Sequence, residues 1–302
     1  MKITGIKQPF KTGFRIALLF VAGIVLGMLP AKQVNAQGST SSLLWKIEDN
    51  SLAKPSYLYG TIHLICPDDF FFTEATQKVL DEVEHIAMEI DLSDPQMMTK
   101  MQQLSLNPGR KNFSEDLTEE DAKVLNEFLQ ANYGADLTQL GVMKPFALYS
   151  MIIIKALKCD QPASYELAFV KEATKRELEI SGLETPEFQM GLFDDIPQTE
   201  QIQWIVEAIV EKEDTQEEFT RMVAAYKEQD LKALSGIIME NDQFAGYADM
   251  LLYQRNKDWI SKIEKLAKDG STLIAVGAGH LGSDQGVIAL LKKEGYTISP
   301  VP

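Results

Sequence analysis

Two stretches of this 302-residue chain end in the same way. Residues 57–63 read YLYGTIH and residues 274–280 read IAVGAGH, so each apolar, strand-like run closes on Gly-x-x-His. The chain has three histidines, His63, His85 and His280, and this pattern takes up two of them. In open α/β sheets, ligand-binding and catalytic groups gather beyond the carboxyl ends of the strands. A glycine at such a place lets the backbone turn sharply or approach a ligand closely. Either motif alone reads as a buried, hydrogen-bonded core histidine; the repeat favours a shared site. His85, at the start of another apolar run beside acidic residues, reads as a plain structural or surface residue.

The remaining pattern supplies a sheet for these motifs. Residues 41–48, 56–62, 85–90, 179–183, 272–276 and 296–301 carry short apolar or alternating runs of strand type. Thr73 suits a helix cap, with Glu74 following at once and an amphipathic stretch running to Glu84. Helical spacing recurs over residues 118–132, 145–158, 199–211, 215–228 and 247–268; the stretch 145–158 is nearly all apolar and predicts a buried helix. The order predicts an α/β (mixed α+β) fold: a central mixed β-sheet flanked by helices, with a large helical insertion. Residues 37–302 read as a single domain whose middle, about 95–268, is mostly helical.

The first 36 residues read as an address. Lys2, Lys7, Lys11 and Arg15 precede an apolar run over 16–29, and Val34-Asn35-Ala36 places small residues at the −3 and −1 positions of a signal-peptide cut after Ala36. That run of 14 residues is shorter than the roughly 20 a membrane-crossing helix needs. No stable membrane insertion is expected after cleavage, an uncleaved anchor being the other reading. With 29 basic and 44 acidic residues the net charge is −15; the leader holds five basic and no acidic residues, so the mature chain reaches −20. So acidic a surface repels phosphate backbones, which argues against nucleic acid as a partner. A periplasmic or secreted protein is expected. Export permits a disulfide between Cys66 and Cys159, although two buried free thiols would fit the sequence as well.

Carboxylates complete the candidate site. Glu89 lies in the apolar run IAMEID, where a charge must be paired or coordinated, and Glu184 ends EISGLE in the same manner. Asp91 falls beyond the buried stretch. Two histidines and a carboxylate with an open position form a common catalytic set for a divalent metal, and a second carboxylate can serve as general base toward water. The plainer reading of Glu89 is an ion pair to a buried arginine, for which Arg255 is available. Arg255 and Asn256 stand on a predicted helix, Trp259 follows close behind, and arginine can grip an oxyanion or carboxylate in bidentate fashion.

These residues together resemble the TraB/GumN family, which includes the TIKI proteins. The resemblance rests on the paired motifs at Gly60–His63 and Gly277–His280, the acidic strand MEID at Met88–Asp91, GLET at Gly182–Thr185 and the pair Arg255-Asn256. It covers nearly the whole mature chain and is nearest to exported bacterial members. It implies a fold similar to erythromycin-esterase-like and ChaN-like proteins, and a divalent-metal-dependent hydrolase; TIKI members are described as metal-dependent proteases. Carried across residue by residue, it implies His63, His280 and Glu89 as metal ligands, with Glu89, Glu184, Arg255 and Asn256 as catalytic residues. The ion would be zinc, manganese or cobalt. The expected function is an exported peptidase-like metallohydrolase acting on a peptide or small-molecule substrate. The alternatives are a non-catalytic metal- or haem-binding protein on the same fold, or a scaffold whose acidic helices meet a partner.

Overall fold

Long apolar runs such as Thr-Leu-Ile-Ala-Val suit strands covered on both faces, the condition of a parallel sheet with helices on each side. The computed structural model, which describes residues 41–302, bears this out. Strands β1 (Leu44–Glu48), β2 (Ser56–Thr61), β3 (His85–Met88), β4 (Glu179–Gly182), β5 (Thr272–Gly277) and β6 (Thr297–Val301) form one mixed sheet in the order β4-β3-β5-β2-β1-β6. β2, β5, β3 and β4 run parallel, while β1 lies antiparallel to both β2 and β6. Each expected strand is present, its ends within three residues of those expected. The expected signal sequence falls outside the described residues. No helix among the described residues is long and apolar enough to cross a membrane.

Local chemistry sets several helix ends. Thr73 Oγ1 accepts from the Thr76 amide and starts the helix Glu74–Glu82. Thr118 caps Glu119–Tyr133, which stops at Gly134, held at φ 63° in the left-handed region that favours glycine. The apolar helix Pro145–Ile154 ends earlier than its sequence pattern, and the expectation that it is buried all round is corrected. Leu148 and Ile152 enter a second core with Leu125, Leu129 and Ile205, whereas Phe146, Tyr149 and Ile153 face an open cavity. Two apolar surroundings, not one, explain its uniform composition.

The acidic helices also differ in detail. Gln198–Val210 and Lys212–Lys227 meet at Glu211, so the second begins before the expected position 215. The long helix expected over 247–268 divides into a wide π turn, Asp249–Tyr253, and the helix Gln254–Asp269. Among the helices that the periodicity does not announce are Tyr165–Arg176, capped by Ser164, and Leu231–Glu240, capped by Asp230.

Cys66 and Cys159 are joined in a disulfide, their Cα atoms 5.7 Å apart. Beside it the Ile65 amide donates to the Ala163 carbonyl at 3.0 Å, and the Ala163 amide to Ile65 at 2.8 Å. These links fasten the turn after β2 to the start of the helix Tyr165–Arg176. A cross-link spanning 93 positions stabilises mainly by restricting the unfolded chain, on the order of 4 kcal/mol. Denaturant melts with and without reductant should therefore show a loss of about 2–5 kcal/mol on reduction; an unchanged midpoint would remove the bond from the stability of the fold.

Candidate functional site

The four parallel strands deliver the motif residues to one rim. His63 lies just past the end of β2, Glu89 directly follows β3, Glu184 stands two residues past β4, and a short turn over Ala278–His280 follows β5. The β3–β4 pairing continues beyond the strands, the Glu184 amide donating to the Glu89 carbonyl at 2.8 Å. The first glycine of each motif has a packing reason. A Cβ on Gly60 would lie 3.1–3.2 Å from Leu281 and Ala278, and one on Gly277 would meet Glu89 Oε1 at 3.3 Å, His280 Cδ2 at 3.6 Å and His63 Nε2 at 3.9 Å. Gly277 is thus the small residue around which both motif histidines and Glu89 converge.

His280 is buried, and its tautomer follows from its neighbours. Asn256 Nδ2 donates to the Gln285 carbonyl at 2.9 Å, which turns Asn256 Oδ1 toward His280 Nδ1 at 2.6 Å; Nδ1 therefore carries the hydrogen. On the other side Arg255 Nη1 lies 3.3 Å from Nε2 and can only donate, so Nε2 presents its lone pair. Burial pushes the His280 pKa down to about 3 against the attraction of Glu89, leaving the ring neutral at physiological pH.

His63 has the opposite charge state. Its Nδ1 lies 3.0 Å from Glu166 Oε1, and Glu166 is itself held by Thr61 Oγ1 at 2.8 Å and Ser164 Oγ at 2.9 Å. The ring is 70% exposed and opens into a cleft. Enclosure there opposes a charge on His63. The bond and charge of Glu166, with Glu89 behind, outweigh it and raise the group to about 9. Nε2 has no hydrogen-bond partner among the described residues and faces the cleft. Glu166 escaped the sequence reading because its helix lacks a strong apolar period. The available signal was the cap Ser164 with an acid in the first turn, a few residues after Cys159.

Between the histidines sits Arg255, with every N–H engaged. Nε and Nη2 grip Glu184 at 2.7 and 2.9 Å, Nη2 also reaches Glu89 Oε2 at 2.6 Å, and Nη1 donates to the Leu251 carbonyl at 2.9 Å besides approaching His280. The guanidinium lies 5.0 Å from the centre of the Trp259 ring, whose own N–H donates to Glu184 at 2.8 Å. Two corrections follow. Glu184, Glu89 and the Leu251 carbonyl hold four of the five Arg255 donors and His280 weakly takes the fifth, so Arg255 forms an internal clamp in place of the expected oxyanion grip. Glu184, its side chain 3% exposed and both oxygens bound, is sealed beneath the cleft, not offered to it as ligand or base. The ion pair between Glu89 and Arg255 is present, and Asn256 orients His280.

Glu89 keeps more freedom. Oε2 accepts from Arg255 and from Gln189 Nε2 at 2.9 Å, while Oε1 accepts the Gly277 amide at 2.8 Å and lies 3.8 Å from His280 Nε2. Burial would raise this carboxyl; His280 when protonated, Arg255, His63 and the Gly277 N–H overcome that and hold it at about 2. With His280 neutral, Arg255 is the main charge keeping Glu89 ionised at pH 7. The described residues contain no group of three His, Cys, Asp or Glu already drawn to metal-ligating spacing. Asp91 turns back onto Ser93, and His85 bonds Ser181 Oγ at 2.8 Å, a structural role as its position implied.

The rim forms the floor of a cavity of about 620 Å³. Thr61, His63, Glu89, Gln189, Arg255 and His280 make that floor polar, while the helical middle supplies walls dominated by aromatic, aliphatic and methionine side chains. A smaller recess of about 290 Å³ among Asp214, Glu217, Glu218 and Arg221 contains none of the motif residues.

Two measurements check this wiring. In a proton NMR titration His63 should titrate near pH 9 and His280 not at all between pH 5 and 9, and Glu166→Gln should return His63 toward its usual 6.5. A raised folded pKa means the His63–Glu166 stabilisation is complete below pH 6.5 and lost as pH climbs through 9. Separately, Arg255→Met leaves two buried carboxylates unpaired and should cost on the order of 3–5 kcal/mol in urea melts. A near-neutral result would mean the clamp is not needed to hold the floor.

The model of the TraB/PrgY/gumN family matches residues 43–300. No curated protein and no solved structure matches the chain. The chain belongs to the TraB/PrgY/gumN family.

Proposed function

We propose that this member of the TraB/PrgY/gumN family is an exported, divalent-metal-dependent hydrolase that cleaves an amide or ester bond at the polar floor of the cavity. The observation that carries the reading is that both motif histidines are anchored through Nδ1. Each has Nδ1 tied to an oxygen acceptor, Glu166 for His63 and Asn256 for His280; His63 Nε2 would lie 3.9 Å from a Cβ on Gly277, and His280 Nε2 lies 3.8 Å from Glu89 Oε1. Metal-ligating histidines characteristically have their second nitrogen engaged in this way, which sets the ring's orientation and basicity.

The donor set fits a divalent ion. His63 Nε2, His280 Nε2 and Glu89 Oε1 are nitrogen and oxygen donors of the kind zinc, manganese and cobalt accept. Arg255 Nη1, the weak partner of His280 Nε2, keeps the Leu251 carbonyl when that contact is given up. When bound, such an ion supplies Lewis acidity toward a carbonyl oxygen and toward water. The chain's own residues do the rest. Glu166 and Asn256 orient the imidazoles, and Arg255 offsets the negative charge of Glu89 and Glu184. Against the effect of burial, Arg255 and the Gly277 N–H hold Glu89 below the usual carboxylate range, and so weak a base suits holding a cation better than accepting a proton. His63 carries a proton at neutral pH that ion uptake must displace, so uptake should strengthen as pH rises toward 9.

The test is metal content by elemental mass spectrometry beside hydrolysis of chromogenic amides and esters. The mature parent should hold about one equivalent of divalent metal and turn substrate over. The His63→Ala/His280→Ala variant should hold none, lose turnover and keep its fold by circular dichroism. Metal bound without turnover of any amide or ester would indicate a binding protein instead. No metal in the parent after divalent ions are added back would retire the metal site.

A further inference from the structure

Resting on the hydrolase reading, we propose that the bond cut joins an acyl chain to an alcohol or amine, with the hydrocarbon chain lying along the apolar wall and its carbonyl at the floor beside His63. The wall is sharply unlike the floor. Phe146, Tyr149, Ile153, Trp204, Phe244 and Leu252 represent a lining in which polar groups are few. Several of those few are engaged within the protein: Ser150 Oγ donates to the Phe146 carbonyl at 3.0 Å, Asn241 to Glu218 at 3.4 Å, and Gln243 to Glu207, which leaves the Tyr149 hydroxyl and the Trp204 N–H as isolated polar points on an apolar wall.

This separates two kinds of substrate. A peptide lying along the wall would bring an N–H and a C=O with every residue, more than the few polar points there can satisfy. Strand addition, the usual way to satisfy such groups, needs a sheet edge. The edges here are β4 and β6, whereas the cavity opens on the ends of the interior strands β2 and β5. A hydrocarbon chain asks for no hydrogen bonds and gains from each methylene buried. Met101, Met190 and Met222 add unbranched side chains that repack around chains of different length. A volume of about 620 Å³ lies within the usual range for small-molecule sites, roughly 300–1,000 Å³. The reaction is a plain hydrolysis. Water's oxygen forms the new bond to the acyl carbon, the acyl C–O or C–N bond breaks, and a proton goes to the departing oxygen or nitrogen, leaving a carboxylic acid.

The experiment pairs equilibrium binding of dodecanoate, by calorimetry, with hydrolysis of 4-nitrophenyl esters running from acetyl to dodecanoyl. The proteins are the parent, Ser150→Trp, Ile153→Asp and the His63→Ala/His280→Ala variant. Ser150 is exposed to the cavity and Ile153 is half-buried on its wall, so neither belongs to the polar floor. In the parent, kcat/KM should rise about fourfold per methylene until the cavity is filled. Ser150→Trp should shorten the preferred chain, and Ile153→Asp should weaken dodecanoate binding at least tenfold with the fold unchanged by circular dichroism. The double histidine variant should still bind dodecanoate while cleaving nothing. Dodecanoate bound and lost in the wall variants, with no ester cleaved by the parent, would keep the acyl site and overturn the hydrolase reading. Acetyl and dodecanoyl esters cleaved alike, without dodecanoate binding, would keep the hydrolase and overturn the acyl site; so would an apolar peptide that displaces dodecanoate and is cut faster than any ester.

Discussion

Everything at the rim of this sheet is referred to one buried guanidinium. Arg255 neutralises Glu89 and Glu184, touches His280 and borrows a carbonyl from the π turn that precedes it. Removing two carboxylates from water is costly, and a single partly satisfied charge there would cost several kcal/mol. The planar fork of arginine answers that demand with five donors in fixed directions, which a lysine could not do. The clamp also decides which groups remain for chemistry: Glu184 is consumed, while Glu89 Oε1 and both histidine Nε2 atoms still face the cleft.

The strand order makes this convergence possible. β5 sits between β2 and β3 although it comes last of the three in sequence, so the two Gly-x-x-His motifs leave adjacent parallel strands. Parallel neighbours bring like ends together, and the residues after each end share one rim. The glycines of the motifs are spatial necessities of that rim. Gly60 lies against the turn that follows β5, and Gly277 leaves room among Glu89, His63 and His280.

How much of this could be read beforehand follows the range of each interaction. Strands, caps and the Gly-x-x-His repeat are local signals, set by side-chain alternation and by residues three or four apart, and they were legible. So was the pairing of Glu89 with Arg255, as one of two open readings, because a charge in an apolar run demands a partner. Glu166 was not legible: it reaches His63 from 103 positions away on a helix of mixed composition. The disulfide and the bridge between Ile65 and Ala163 bring it there. The saturation of Arg255 was hidden for a similar reason, since a count of donors depends on where the Leu251 carbonyl and Glu184 end up. The role of the helix Pro145–Ile154 was misread because an apolar side chain facing a cavity and one facing a core look alike in sequence.

The two histidines show how one cavity can hold imidazoles of opposite charge state. His280 has an amide oxygen on Nδ1 and an arginine donor at Nε2, a set that can only accommodate a neutral ring. His63 has a carboxylate on Nδ1 and open space at Nε2, a set that favours the cation. The difference lies in the partner and not in the motif, since both leave the sheet in the same way. The floor is therefore asymmetric: a permanently neutral nitrogen deep beside Arg255, and a proton-bearing nitrogen nearer the opening. The neutral ring lies below, where Glu89 and the Gly277 amide close the site.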